Sequence, residues 1–212
     1  MISLYSGTPG SGKSLHMARD IIDWLNMKHK NVIANFPINE DILSKGFFGH
    51  FSKKGSFTYI SNSEMSVSKL IEYSKANHIQ GKERQTLLCL DECQTFFNPR
   101  EFARKDRLEW NNFFSQHRKL GYEIILVTQT DRLLDRQIRA LVEYEVKHRK
   151  INNFKFGKLC PLPTFCSVYY WYGVRERLGC EFFVYRKRLG ELYDSYKMFD
   201  NTVKCVDSES DV

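Results

Sequence analysis

Short apolar runs of strand type alternate along this chain with stretches whose apolar residues recur at helical spacing. Ile2-Ser3-Leu4-Tyr5-Ser6 reads as a buried strand, and Leu15, Ala18, Ile22 and Leu25 then mark one face of a helix. That helix is expected to end near Lys28-His29-Lys30, where positive charge suits the carbonyl end. A second strand, Asn31 to Phe36, stops at Pro37. Residues 39–55, with Gly46, Gly49 and Gly55 among aromatics, read as a loop or small excursion, and Phe57-Thr58-Tyr59-Ile60 as a short edge strand. A helix from about Ser66, with Val67, Leu70, Ile71 and Ala76 on one face, should end before Gly81. Thr86 to Glu92 is an apolar run that ends in two carboxylates. A basic and aromatic loop, Phe96 to Arg107, leads to a helix from about Asp106 to Leu120 that carries Leu108, Trp110, Phe113, Phe114 and His117 and is closed by Gly121. Glu123 to Gln129 and Leu141 to Ile151 complete the pattern as strands. Strand-helix alternation of this kind predicts an α/β fold with a central, mainly parallel five-stranded sheet flanked by helices.

From Asn152 the pattern changes. Val168-Tyr169-Tyr170-Trp171-Tyr172 and Glu181-Phe182-Phe183-Val184-Tyr185 are aromatic-rich strands, joined through Gly173 to Gly179 as a hairpin. The expected organisation is a core over residues 1–151, a β-rich C-terminal extension packed on it over 152–200, and a disordered acidic tail over 201–212.

Composition narrows the class. The 212 residues, 42% of them apolar, suffice for one domain with a full core. A formal charge of +7 leans toward an anionic partner, nucleic acid or an anionic membrane face. Six cysteines without paired C-x-x-C spacing read as reduced thiols in a cytoplasmic protein. The N-terminus runs straight into the first strand without a signal-peptide pattern, and no run of about 20 apolar residues could cross a bilayer.

The chemistry is concentrated between the first strand and the first helix. Gly7-Thr8-Pro9-Gly10-Ser11-Gly12-Lys13-Ser14 fits the P-loop pattern at every fixed position, and Leu15 continues it into the helix. The glycines let the backbone curl around a polyphosphate with its amides pointing inward. Lys13 reaches the β- and γ-phosphates, the Ser14 hydroxyl is placed to ligate Mg²⁺, and the helix directs its positive end at the same anion. The apolar run ending in Asp91-Glu92 is what a buried parallel strand looks like when it opens on a metal-nucleotide site. Asp91 would hold Mg²⁺ through its water shell and Glu92 would polarise the attacking water, although such a pair can also be a plain strand-to-helix cap. The adjacent glutamate points to hydrolysis by the additional-strand class of P-loop ATPases. In that class the Glu123 to Gln129 strand lies between the other two, so Gln129 would face the γ-phosphate as a sensor; a polar strand end is the competing reading. Arg118, Arg136 and Arg139 are candidates for an arginine supplied by a neighbouring subunit, against the alternative of solvated surface groups. On the hairpin, Arg175, Arg177, Arg186, Lys187 and Arg188 among aromatics could contact a nucleic-acid backbone, or the hairpin could simply cover one edge of the sheet.

Several segments together carry a family resemblance. They are Ile2 to Ala18, Val32 to Ile38, Leu88 to Glu101 (LCLDECQTFFNPRE), His117 to Gln129 (HRKLGYEIILVTQ), Asp135 to Lys150, and Glu191 to Lys197 (ELYDSYK). They resemble the zonular occludens toxin (Zot) domain, shared with the assembly ATPase of filamentous bacteriophages. The P-loop and Asp-Glu strand are generic to many ATPases, whereas HRKLGYEIILVTQ and LYDSYK are more particular to this family. The resemblance implies an additional-strand P-loop NTPase of the RecA/HerA-FtsK-like type, with ATP and Mg²⁺ as cofactors. It implies nucleotide contacts at Gly10 through Ser14, metal and water roles at Asp91 and Glu92, and a sensor at Gln129. It also implies a cytoplasmic motor domain at the host inner membrane that acts when single-stranded phage DNA is extruded. The partners it implies are copies of itself in a ring such as a hexamer, phage assembly and membrane proteins, and single-stranded DNA. Typical members continue into a transmembrane helix, so the resemblance implies either a cytoplasmic domain whose membrane attachment runs through a segment outside these 212 residues or a short soluble member; the toxin activity is not carried over. The alternative is a nucleotide-dependent switch or adaptor that binds ATP to recruit assembly partners without driving translocation.

Overall fold

The strand that leads into the P-loop is the hub of the sheet. In the computed structural model, which describes residues 1–44, 55–100, 106–153 and 162–193, that strand, β1 (Ile2–Ser6), pairs in parallel with β5 (Tyr122–Val127) on one side and β6 (Tyr144–Lys150) on the other. Beyond β5 follow β4 (Thr86–Leu90), β2 (Asn31–Ala34) and β3 (Phe57–Tyr59), all parallel. Beyond β6 the sheet continues antiparallel through β7 (Thr164–Trp171) and β8 (Glu176–Val184). Among the described residues this makes one eight-stranded sheet in the order β3-β2-β4-β5-β1-β6-β7-β8.

Every residue of β1, β4 and β5 is buried, as expected for parallel strands covered on both faces. One face packs Leu4, Leu90 and Leu126 against α3 (Val67–Asn77), α4 (Arg107–Gln116) and α5 (Arg136–Ala140). The other packs Tyr5, Cys89 and Val127 against α1 (Lys13–Ile22), with α2 (Asp41–Ser44) and Leu192 of α6 (Lys187–Leu192) at its margin. A π-helical turn, Asp23–Met27, carries α1 on to Lys28, close to the end expected from the charge pattern.

The five expected core strands are all present, but the sheet is larger than five. The Phe57 segment is a sixth parallel strand at the edge, and the hairpin adds two more in the same sheet. The hairpin is also longer than predicted: residues 176–179, read as loop, belong to β8, and the turn shortens to residues 172–175. An edge strand leaves one side to solvent and so tolerates Glu176 and Arg177, which a pattern search counts as loop residues. An irregularity at Tyr169/Tyr170 absorbs the extra residue.

Three helix-face expectations change. On α3, Ser74 turns inward and donates to the Leu120 carbonyl at 2.8 Å, while Ala76 is exposed. On α4, Leu108 is 69% exposed, and Trp110, Phe113 and Phe114 form the buried stripe with Phe96 and Phe97. On α1, the buried face is His16, Met17, Ala18 and Ile21, with Leu15 and Ile22 only half-buried. Part of the 39–55 segment forms α2, while 45–54, 101–105, 154–161 and the expected tail at 201–212 lie outside the described residues.

Trp110 is 2% exposed and makes ring contacts with Phe96, Phe97, Phe113 and Phe114 at 5.3–6.1 Å between centroids. Trp110→Ala should therefore lower unfolding free energy by about 3–5 kcal/mol in urea titration. A loss below about 1 kcal/mol would show that this aromatic cluster does not anchor α4.

Candidate active site

The loop between β1 and α1 has the conformation that its glycines permit. Gly7, Gly10 and Gly12 all have positive φ (147°, 71° and 96°). A Cβ on Gly7 would stand 2.6 Å from the His148 carbonyl oxygen, and one on Gly12 would stand 2.6 Å from the Phe165 ring of β7. Larger residues are thus excluded at both positions by backbone angle and by space. The Gly7 N–H donates to the Gln129 carbonyl at 3.2 Å, which ties the end of β5 to the start of the loop.

Lys13 and Ser14 open α1. The Lys13 ammonium folds back to donate to the carbonyls of Gly7 (2.7 Å) and Thr8 (3.1 Å). Burial lowers its pKa, and the charges of Asp91 and Glu92 oppose that shift. Thr8, Pro9 and Gly10 are exposed, and the buried Ser11 hydroxyl has no hydrogen-bond partner. An unpartnered buried hydroxyl in a glycine-rich loop at the start of α1 fits an anion such as a nucleotide phosphate.

Asp91 and Glu92 follow β4 directly. Asp91 is 5% exposed, and burial raises its carboxyl pKa against the opposing hydrogen bonds of Tyr193 and the Glu92 N–H. Its backbone is clasped by a side chain that carries no signal in the sequence pattern. Asn35, at the end of β2, accepts the Asp91 N–H (2.7 Å) and donates to the Asp91 carbonyl (2.9 Å). Asp91 Oδ1 accepts the Glu92 N–H at 2.8 Å, and Oδ2 accepts the Tyr193 hydroxyl. Glu92 is exposed, sits in the left-handed region (φ 47°, ψ 43°) and accepts a hydrogen bond from Gln94. Such a backbone costs a non-glycine residue about 1–2 kcal/mol, and strain of this sort collects at functional sites. Ser14 and Asp91 present hard oxygens, the donor type that suits Mg²⁺ brought in with a nucleotide.

The fold brings Lys13, Ser14, Asp91 and the backbone of Gln129 to one end of the sheet. The Gln129 side chain is exposed and lines a cavity of about 360 Å³ with Gly7, Thr8, Lys147 and Arg149. Arg118 lies at the other end of the sheet, just before β5, where it pairs with Glu143 at 2.6 Å beside the Met1 amino group. It cannot serve its own subunit's P-loop, about a strand length away. Arg136 and Arg139 lie on α5, the first exposed and the second half-buried. At the start of α6, Arg188 is turned inward and donates to the Ile42 carbonyl at 2.9 Å, whereas Arg186 and Lys187 beside it and Arg175 and Arg177 at the hairpin turn are exposed.

Two histidines beneath the loop likewise carry no signal in the sequence pattern. His16 of α1 and His148 of β6 are 1% and 2% exposed and hydrogen-bond to each other at 2.8 Å. His148 reaches the Ser6 carbonyl at 3.3 Å, and Arg19 links His16 (2.7 Å) to Glu181 of β8. Only their spacing after the P-loop and within a strand was available, and a lone histidine at such positions carries no signal.

A P-loop on β1, an acidic pair after β4 and an intervening β5 define an additional-strand P-loop NTPase. The chain matches the family model of zonular occludens toxin (Zot) over residues 1–165 and belongs to that family. It is 31% identical over 169 residues to the gene 1 protein of Escherichia phage If1, covering 79% of this chain but only 45% of the relative, so it spans less than half of that protein. In fold it is similar to the N-terminal domain of zonular occludens toxin from Neisseria meningitidis, with a TM-score of 0.52, 19% identity, and coverage of 91% of this chain and 98% of that one. It is also similar to the genome packaging NTPase B204 of Sulfolobus turreted icosahedral virus 2, with a TM-score of 0.51, 17% identity, and coverage of 87% and 96%. No helix among the described residues is long and apolar enough to cross a membrane.

Protonation of the buried groups should make stability depend on pH. Burial lowers the pKa of His16, His78, His117 and His148, so the unfolded chain takes up protons below its histidine value of about 6.5 while the fold resists them. Stability is therefore full above that pH and is lost as pH falls toward the depressed folded values. Asp20, raised by burial to about 6, and Asp91, also raised, take up protons in the fold and partly offset the loss. With four histidines against two aspartates, unfolding free energy should drop between pH 7 and 5, and His148→Gln should make that drop smaller. Urea midpoints that do not change over this range would contradict the neutral-histidine assignment.

Proposed function

We propose that this chain is the ATP-hydrolysing motor domain of a filamentous-phage assembly and export protein, working at the cytoplasmic face of the host inner membrane as single-stranded DNA is extruded. The observation that carries the hydrolytic part is the placement of Asp91-Glu92 across β5 from the P-loop. In this reading the loop amides, Lys13 and Ser14 hold the phosphates of ATP. Ser14 and Asp91 hold Mg²⁺, which supplies charge neutralisation at the phosphates. Glu92 polarises the attacking water, and Gln129 reads the γ-phosphate. Membership of the Zot family and the likeness to a phage gene 1 protein support the assembly setting. The exposed hairpin cations support an anionic partner, single-stranded DNA or anionic lipid. The subunits would form a ring, in which Arg118, Arg136 or Arg139 of one copy completes the site of the next.

One observation favours a second reading, a nucleotide-dependent switch that recruits partners without translocation: the Glu92 carboxylate is held by Gln94. One variant tests the nucleotide site that both readings share, and a second separates them. Lys13→Ala should abolish binding of a fluorescent ATP analogue without lowering the melting temperature, since Lys13 donates only to the loop. Glu92→Gln should bind Mg-ATP like wild type yet turn it over at least about 10²-fold more slowly. Near-normal turnover in Glu92→Gln would favour the switch, and wild-type affinity in Lys13→Ala would remove the nucleotide site altogether.

A further inference from the structure

Leu192 and Tyr193, the last residue of α6 and the one just beyond it, have no part in the nucleotide site as read from the P-loop and the acidic pair. Leu192 is 1% exposed, and its carbonyl accepts the Asn39 N–H at 3.1 Å, which docks the end of α6 beside α2. Tyr193 follows at once, with its ring edge-on to the buried Phe36 at 4.9 Å between centroids. From there its phenol reaches the far end of β4 and donates to Asp91 Oδ2. The Ser14 side chain stands near enough to lower the phenol's pKa slightly against the dominant effect of burial. One neutral hydroxyl from the C-terminal segment thus occupies an oxygen of the carboxylate that the site reading assigns to the divalent ion.

A hydroxyl in that place is chemically a substitute for a cation. It offers a proton to the carboxylate and so satisfies an oxygen at the bottom of the site. A hydrated Mg²⁺ held by Ser14 and Asp91 would need that same carboxylate oxygen. We propose that Tyr193 competes with the Mg-nucleotide complex for Asp91, so that loading the site releases Tyr193 and loosens α6 from α2. The proposal rests on the nucleotide-site reading above. It makes the C-terminal segment the part of the domain that reports metal-nucleotide loading to whatever follows in the chain. A plainly structural tyrosine would make the same hydrogen bond but would not respond to Mg²⁺.

Tyr193→Phe keeps the ring against Phe36 and removes the hydroxyl. In the full chain, Mg²⁺ is titrated against a fixed concentration of a fluorescent, non-hydrolysable ATP analogue, with a parallel series in EDTA. The variant should reach half-saturation at about three- to tenfold lower Mg²⁺, the scale of one lost hydrogen bond, with its EDTA affinity unchanged. An equal or higher Mg²⁺ requirement in a variant that melts like wild type overturns the proposal. Hydrogen exchange on the wild-type chain tests it without any substitution: amides of residues 187–193 should exchange faster with Mg²⁺ plus analogue than with analogue in EDTA. Unchanged protection there overturns it as well. Failure of the underlying nucleotide site would look different, since Lys13→Ala would then bind the analogue as well as wild type does.

Discussion

The site depends on β5 lying between β1 and β4. Leu4, Leu126 and Leu90 stand abreast across these three parallel strands, so the loop after β1 and the carboxylates after β4 leave the sheet at the same level. With neighbouring strands about 4.8 Å apart, the two ends are separated by about 10 Å, a gap that the P-loop and a bound phosphate can fill but a direct side-chain contact cannot. The apolar character of all three strands makes this arrangement rigid, because a slip of one residue would turn each strand's two faces over between the two cores.

The loop itself is held from both flanks. On the hairpin side, Phe165 lies against Gly12, and the chain of contacts Ser6, His148, His16, Arg19 and Glu181 runs from the base of the loop to β8. Burial keeps both imidazoles neutral, so they add no positive charge under the anion site, and the network's one cation, Arg19, is paired with Glu181. On the opposite flank, Asn35 holds the Asp91 backbone and Tyr193 holds its carboxylate. The strand edge and the C-terminal segment therefore meet at the same few atoms.

The positive balance of the chain is distributed less simply than its sum. Arg19, Arg84, Arg107 and Arg118 pair with Glu181, Glu123, Asp135 and Glu143, and Arg188 is spent on a backbone carbonyl. The part-exposed Arg19 and Arg118 pairs contribute roughly 0–1 kcal/mol each, whereas Arg84 and Arg107 neutralise the buried carboxylates of Glu123 and Asp135; all four take cations out of the surface field. On and after the hairpin the exposed cations fall in two places, Arg175 and Arg177 at the turn end of β8, and Arg186 and Lys187 where β8 gives way to α6 beside the exposed Phe182 and Tyr185.

The amino-acid sequence by itself determined the elements whose signals are local. The P-loop is a run of eight consecutive residues, the Asp91-Glu92 strand ends in charge after a fully apolar stretch, and the alternation of periods sets the α/β class. These follow from backbone sterics and burial, which neighbouring residues decide among themselves. Only the tertiary structure decided how far the sheet extends, because an edge strand such as β8 mixes Glu176 and Arg177 with apolar residues and reads as loop. It alone joined Asn35 and Tyr193 to Asp91 and His16 to His148, across separations of 56, 102 and 132 residues. A hydrogen bond over such distances leaves no periodicity in the chain; its partners become neighbours only once the parallel ladder has set which strand ends lie side by side.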